Sequence, residues 1–134
     1  MNKKIIVYGH ADRSKKCGFP TEDDLIEYIQ KKLFTESIGR HYFTQSKEAD
    51  IIVVSRKGLA YGHLDVENKE DPTPQDKKKY PKVKKVYIIR FSAVYNTPVR
   101  LYDIGIRGFS YGKLITHKEF NKIKSLARGF EEYW

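Results

Sequence analysis

The 134-residue chain holds only one cysteine, one methionine and one tryptophan. A lone Cys17 cannot close an internal disulfide, which excludes the stapled secreted scaffolds and fits a reducing compartment. No stretch approaches the roughly 18 consecutive apolar residues of a membrane span. Met1-Asn2-Lys3-Lys4 leads straight into Ile5-Ile6-Val7-Tyr8, too short and too quickly polar for a signal peptide. The chain therefore reads as cytoplasmic, with no membrane partner. It carries neither GxGxxG nor GxxxxGKS/T, so no glycine cradle for a nucleotide cofactor is indicated. His10, His41, His63 and His117 are scattered and Cys17 has no CxxC mate, so neither a metal nor a cofactor is expected. Cys17 follows Lys15-Lys16, which could lower its pKa, with His10 as a conceivable base, but a loop cysteine without a defined partner is more often incidental.

Positive charge and aromatic rings are abundant. Against 17 acidic residues stand 26 Lys and Arg, a formal charge of +9, in a chain that is 40% hydrophobic and 13% aromatic. That composition builds one folded domain over residues 1–134. The excess is concentrated in Lys77, Lys78, Lys79, Lys82, Lys84, Lys85 and Arg90, a stretch without an acidic residue. Tyr80 and Tyr87 interleave with it, and a base can stack where a phosphate is held, so the stretch reads as a nucleic-acid contact. Just before it, Asp65, Glu67, Glu70, Asp71 and Asp76 form an acidic loop with Pro72 and Pro74. Mutual neutralisation of the two segments is the competing, bland reading, and it would leave a protein-interaction domain.

The hydrophobic pattern predicts a buried strand at 4–8, then a helix capped by Thr21 with Leu25, Ile26, Ile29 and Leu33 at helical spacing, ending near Phe34. A short aromatic segment 41–44 precedes the strand 50–55, a turn at Arg56-Lys57-Gly58 and a returning strand 59–66, in which Gly62 marks a bulge or a close backbone approach. A long strand covers 83–94, closed by Asn96-Thr97-Pro98, with one more short strand at 99–101 and a glycine-rich loop over 103–112. Thr116-His117-Lys118-Glu119 has capping-box spacing and opens a last helix whose Phe120, Ile123, Leu126, Ala127 and Phe130 face inward. The chain stops at Tyr133-Trp134 without a polar tail, as the first part of a longer protein or a docking end would.

One enzymatic pattern competes. Asp65-x-Glu67-x-Lys69, with Asp50 on the neighbouring strand, resembles the metal-dependent nuclease core of restriction enzymes, where carboxylates hold Mg²⁺ and a lysine assists the attacking water. A three-residue coincidence is expected in so charged a chain. The other pattern is aromatic: Tyr8, Tyr42, Phe43, Tyr61, Phe109 and Tyr111 stand beside strand ends or turns, with Ser55, Thr44 and Asp103 able to satisfy a base edge. Such a cleft meets the demands of an extruded base.

Residues 50–67, 85–95, 98–106 and 114–123 together resemble the EVE and YTH domains of the PUA-like superfamily. The shared order is an apolar strand, a turn, a Gly-x-x-x-Val strand (Gly62 to Val66), a loop, a long strand leading to Pro98-Val-x-Leu101, and a late Thr116-x-x-Glu-Phe helix start. The resemblance implies an α+β fold, a small twisted β-barrel flanked by helices, and a pocket between strand ends that in relatives can take in a flipped, often methylated, base. Tyr8, Gly9, His10, Tyr42, Phe43, Thr44, Ser55 and Arg56 would border it, and Arg107 to Tyr111, with Phe109, would close one side. The phosphates would fall to Arg56, Lys77 to Lys85 and Arg107. YTH cages rely on tryptophan, whereas the one here is Trp134, so a cage would use Tyr or Phe. EVE-like domains also resemble the amino-terminal readers of McrB-type modification-dependent restriction systems. The implied role is a non-catalytic reader of N6-methyladenine or 5-methylcytosine, in DNA rather than RNA, beside an effector domain or subunit. An RNA-binding PUA-like module without modification specificity and the small Mg²⁺ nuclease are the alternatives.

Overall fold

The computed structural model describes residues 3–9, 19–44, 48–107 and 112–134. Its centre is a pair of apolar strands, β1 (Ile5–Gly9) and β3 (Ile51–Arg56), which run parallel with Ile5 opposite Ile51. Both are rich in Ile and Val because both of their faces are covered, the usual reason for an unbroken apolar run. Ile5, Val7, Ile51 and Val53 point into one core, and Ile6, Ile52 and Val54 into a second on the opposite face.

The remaining strands extend this pair into one twisted seven-stranded sheet. In spatial order it runs β2 (Gly39–Phe43), β5 (Lys85–Arg100), β4 (Leu59–Glu70), β3, β1, β6 (Lys113–Ile115), and β7 (Phe130–Tyr133) pairs β5 beside β2. β3 and β4 form the expected hairpin. Its two turn residues, Lys57 and Gly58, both have positive φ, the backbone that a two-residue hairpin with native twist demands. Helix α1 (Glu22–Tyr28) starts at its Thr21 cap and passes through a π-helical turn (Ile29–Leu33) into α2 (Phe34–Glu36), burying Leu25, Ile29, Leu33 and Phe34 in the second core. Helix α4 (His117–Leu126) opens on the Thr116/Glu119 capping box and covers the first core with Phe120, Ile123 and Ala127. The α+β class and the helix-flanked, twisted β-architecture are thus those read from the sequence, the strands of the expected small barrel forming one twisted sheet.

Four local expectations are corrected. The acidic Pro-containing loop holds a further helix, α3 (Pro74–Lys79), because Thr73 and Asp76 form a reciprocal capping box with Pro74 in the first turn. The long strand does not end at Asn96: Val99 and Arg100 pair Ala60 and Leu59, so β5 continues across an irregularity opposite Tyr61. Of the short strand expected over 99–101 only Leu101 falls outside, where it opens a 3₁₀ helix (Leu101–Ile104). Leu126 is 47% exposed, since it lies off the i, i+3, i+7 stripe of Phe120, Ile123 and Ala127, and Phe130 belongs to β7 instead of α4.

His63, on β4, is buried among aromatic rings of the first core. Its Nδ1 lies 2.9 Å from the Tyr95 hydroxyl, and the Phe120 and Phe130 rings meet it edge-on. Burial pulls its pKa down to about 4, so the ring is neutral at physiological pH.

Candidate functional site

Where α2 hands over to the edge strand β2, the chain spans the second face of the sheet without filling it. The result is a cleft of about 500 Å³. Ile52, Val54 and Leu64 form its apolar floor, and Tyr8, Tyr28, Tyr42 and Phe43 stand around it. The period-two alternation of β1 turns Ile6 and Tyr8 to this face while Ile5 and Val7 fill the other core. Neighbouring rings brace the walls: Phe43 lies 4.4 Å from Tyr87, Tyr28 is 4.9 Å from Phe19, and Tyr42 is 4.5 Å from Tyr80, all centroid to centroid.

One wall is polar, and its groups are already committed to each other. The Tyr28 hydroxyl donates to Glu36 Oε2 at 2.9 Å, the Ser37 hydroxyl donates to the Leu33 carbonyl at 2.6 Å, and His41 Nε2 lies 2.7 Å from the Ser37 carbonyl. Partial burial first, and then the Glu36 carboxylate, push the Tyr28 phenol up to about 12, so it stays a donor.

The basic stretch borders the cleft. Arg40, on β2, donates to Glu70 at 2.6 Å and to Asp76 at 2.9 Å, which pins the N-terminus of α3 against the sheet. Lys77, Lys78 and Lys79 occupy the last turn of that helix, where cations suit its dipole, and all three are exposed. Tyr80 follows at once and packs on Tyr42, and the Lys84 amide bonds the Phe43 carbonyl at 2.8 Å. Among the described residues no close ion pair engages Lys77, Lys78, Lys79, Lys82 or Lys84, and the acidic loop reaches this group only through the longer-range attraction between Asp71 and Lys77. Thr73→Ala is expected to fray α3 at a cost of about 1 kcal/mol. Hydrogen exchange would show this as faster amide exchange over 74–80 with the sheet unchanged.

The other sequence-derived site residues fall differently. Arg56 is 2% exposed and ion-paired to Glu22 at 3.2 Å, which takes it away from any phosphate. Lys85 is half-buried and held by Asp71 at 2.9 Å and Glu48 at 3.6 Å. Arg107 is exposed but stacks on Tyr102, beyond the segment that packs in the first core. Ser55 is buried and donates to the Tyr8 carbonyl, fixing the end of β1 rather than facing the cleft, and Tyr61 is part of the second core. His10, Phe109 and Tyr111 lie outside the described residues, as do Cys17, Lys15 and Lys16. Tyr28, Glu36, Ser37 and His41 were missed. The helical apolar pattern points to the buried side of α1, whereas Tyr28 and Glu36 lie eight apart and meet only across its π turn.

The nuclease-like carboxylates are not assembled into a site. Lys69 is 2.8 Å from Asp50, Glu67 pairs with Arg90 at 3.3 Å, and burial raises the Asp65 pKa. Among the described residues no three His, Cys, Asp or Glu side chains come together as metal ligands do.

No protein-family model matches the chain, and no curated protein matches it by sequence. Two solved structures are similar in shape. One is a mutant of the ZmASCH protein from Zymomonas mobilis, with a TM-score of 0.52 at 11% identity over 92% of this chain and 96% of that one. The other is the YTH domain of the Zygosaccharomyces rouxii MRB1 protein in complex with N6-methyladenosine RNA, with a TM-score of 0.44 at 14% identity over 92% of this chain and 86% of that one. The first likeness extends over nearly the whole of both chains and shows that the two share a fold.

Proposed function

We propose that this chain is a non-catalytic nucleic-acid-binding module that takes an unstacked base, methylated bases included, into the Tyr8/Tyr28/Tyr42/Phe43 cleft. Phosphates are held by Lys77, Lys78, Lys79, Lys82 and Lys84. The observation that carries the reading is the Tyr42–Tyr80 contact: one ring lines the cleft and the other ends the lysine helix, so base site and phosphate track are continuous. An apolar floor with aromatic walls replaces the stacking that an extruded base gives up. The lysines supply affinity without sequence preference. The resemblance to restriction-system readers makes DNA the expected polymer and an effector domain the expected neighbour.

Fluorescence anisotropy with matched DNA and RNA oligonucleotides across a salt series tests this. Lys77, Lys78 and Lys79 changed together to Ala are expected to weaken every sequence alike and to lower the salt slope by about 2.7 on duplex, or about 2 on a single strand. Lys84→Ala should act in the same sense, whereas Lys85→Ala should do little. Tyr42→Ala is expected to cost about 1–3 kcal/mol of binding through the lost stacking face. Binding that ignores salt, or none at low salt, would overturn the reading. Preference for RNA would reassign the polymer and leave the cleft.

A further inference from the structure

The polar wall of the cleft has spent its hydrogens. Tyr28 gives its proton to Glu36, and Ser37 gives its proton to the Leu33 carbonyl. His41 Nε2 faces the Ser37 carbonyl, which can only accept, so Nε2 bears a hydrogen, and in the tautomer that carries only that hydrogen Nδ1 is an acceptor. Glu36 is an acceptor throughout, and Tyr28 occupies only its Oε2. Every group that the α2–β2 connection brings to this wall therefore offers lone pairs to a ligand. Hydroxyl donors do line the rest of the cleft, at Thr44 and at Tyr42, whose oxygen interacts with Arg40, but they belong to β2 and its end rather than to this wall.

A wall of acceptors discriminates among bases by the donors they carry. The Watson–Crick edge of guanine presents N1–H and the N2 amine side by side, the spacing that one carboxylate accepts with two oxygens. Cytosine and adenine present one amine beside a ring acceptor, and thymine or uracil one N–H between two carbonyls. Against this wall those flanking lone pairs would meet lone pairs instead of donors, and because Glu36 is exposed the penalty is a missing hydrogen bond rather than full desolvation. Resting on the base-in-cleft reading above, we infer that Glu36, supported by Tyr28 and His41, selects guanine by accepting hydrogen bonds from its Watson–Crick edge.

The test uses fluorescein-labelled single-stranded decamers of thymidine with one central dG, deoxyinosine, dC, 5-methyl-dC, dA or N6-methyl-dA, beside the all-thymidine strand. The dG strand is expected to bind about 10-fold more tightly than the all-thymidine strand. Deoxyinosine, which lacks the N2 amine, should fall between them. Glu36→Gln places an amide N–H₂ where the carboxylate accepted, and should shrink the dG preference to less than about 2-fold. Glu36→Asp retains the charge on a shorter arm and should keep part of it. Equal affinity for all strands, or tighter binding of either methylated base than of dG, would overturn the guanine assignment while leaving the cleft as a base site. A dG preference that survives Glu36→Gln would overturn the role of Glu36. Failure of every strand to bind at low salt would remove the base-in-cleft reading itself.

Discussion

Gly62→Ala is expected to destabilise the protein by about 3 kcal/mol or more, lowering the melting temperature by roughly 10 °C. Gly62 sits in mid-strand on β4, opposite Val54 on one side and Val94 on the other, between irregularities in both ladders. A Cβ there would run into the Ala93 carbonyl oxygen and come within 2.6 Å of the Phe34 ring. Neither neighbour can yield freely. The carbonyl belongs to β5, which is held by β4 on one side and by β2 and β7 on the other, and Phe34 is 1% exposed, with its own carbonyl taking the Ser92 hydroxyl at 2.8 Å. Gly58→Ala provides the contrast: its φ is +79°, but a Cβ would meet nothing within 4 Å, so only left-handed strain of about 1–2 kcal/mol is expected. Thermal or urea unfolding of the two variants side by side decides the matter. Equal losses would mean that the close packing of α2 on the β4–β5 ladder yields to the added methyl at no greater cost than the left-handed strain at Gly58.

Gly62 also shows which parts of the molecule the sequence discloses. A glycine inside an alternating strand has few local explanations, so the close approach is legible in the strand pattern itself. The same holds for β1 and β3, whose unbroken apolar runs require cover on both faces, and for α4, whose capping box and stripe are local signals. The cleft is legible in part. Tyr8, Tyr42 and Phe43 stand at strand ends and do line it, while Ser55, Tyr61 and Arg56 stand at similar places and are buried. Nothing in a strand-end position tells which way a side chain turns, because the ladder irregularity between Val54 and Ser55 is set by the partner strand. The lysine helix is hidden because its acidic cap residues, read as composition, look like a solvated loop. Read as positions, Thr73, Pro74 and Asp76 are a helix start. The polar wall depends on the π turn between Tyr28 and Glu36, a feature that periodicity at 3.6 residues does not register.

Acid is expected to remove about 3 kcal/mol of stability between pH 6.5 and pH 4 through His63 alone. In the fold its pKa is about 4, while in the unfolded chain it returns to 6.5. As pH falls through 6.5 the unfolded chain binds a proton that the folded one refuses, so unfolding becomes progressively favoured until the buried ring itself protonates near pH 4. At about 1.36 kcal/mol per unit the shift gives the stated loss. Other groups act mainly lower down. Burial alone would raise the pKa of Asp50, but Lys69 and the Lys4 amide together hold it below its ordinary value, so its contribution is lost below that range. Asp65 acts in the opposite sense, because burial raises its pKa and its protonation favours the folded state. His63→Gln isolates the effect: the amide keeps a partner for the buried Tyr95 hydroxyl but cannot ionise. This variant should be less stable at pH 7 yet nearly flat from pH 6.5 to 4, with the difference between the two urea-unfolding curves tracing one proton. Parallel curves would show that His63 titrates normally, and that the aromatic rings around it admit water or open before the sheet does.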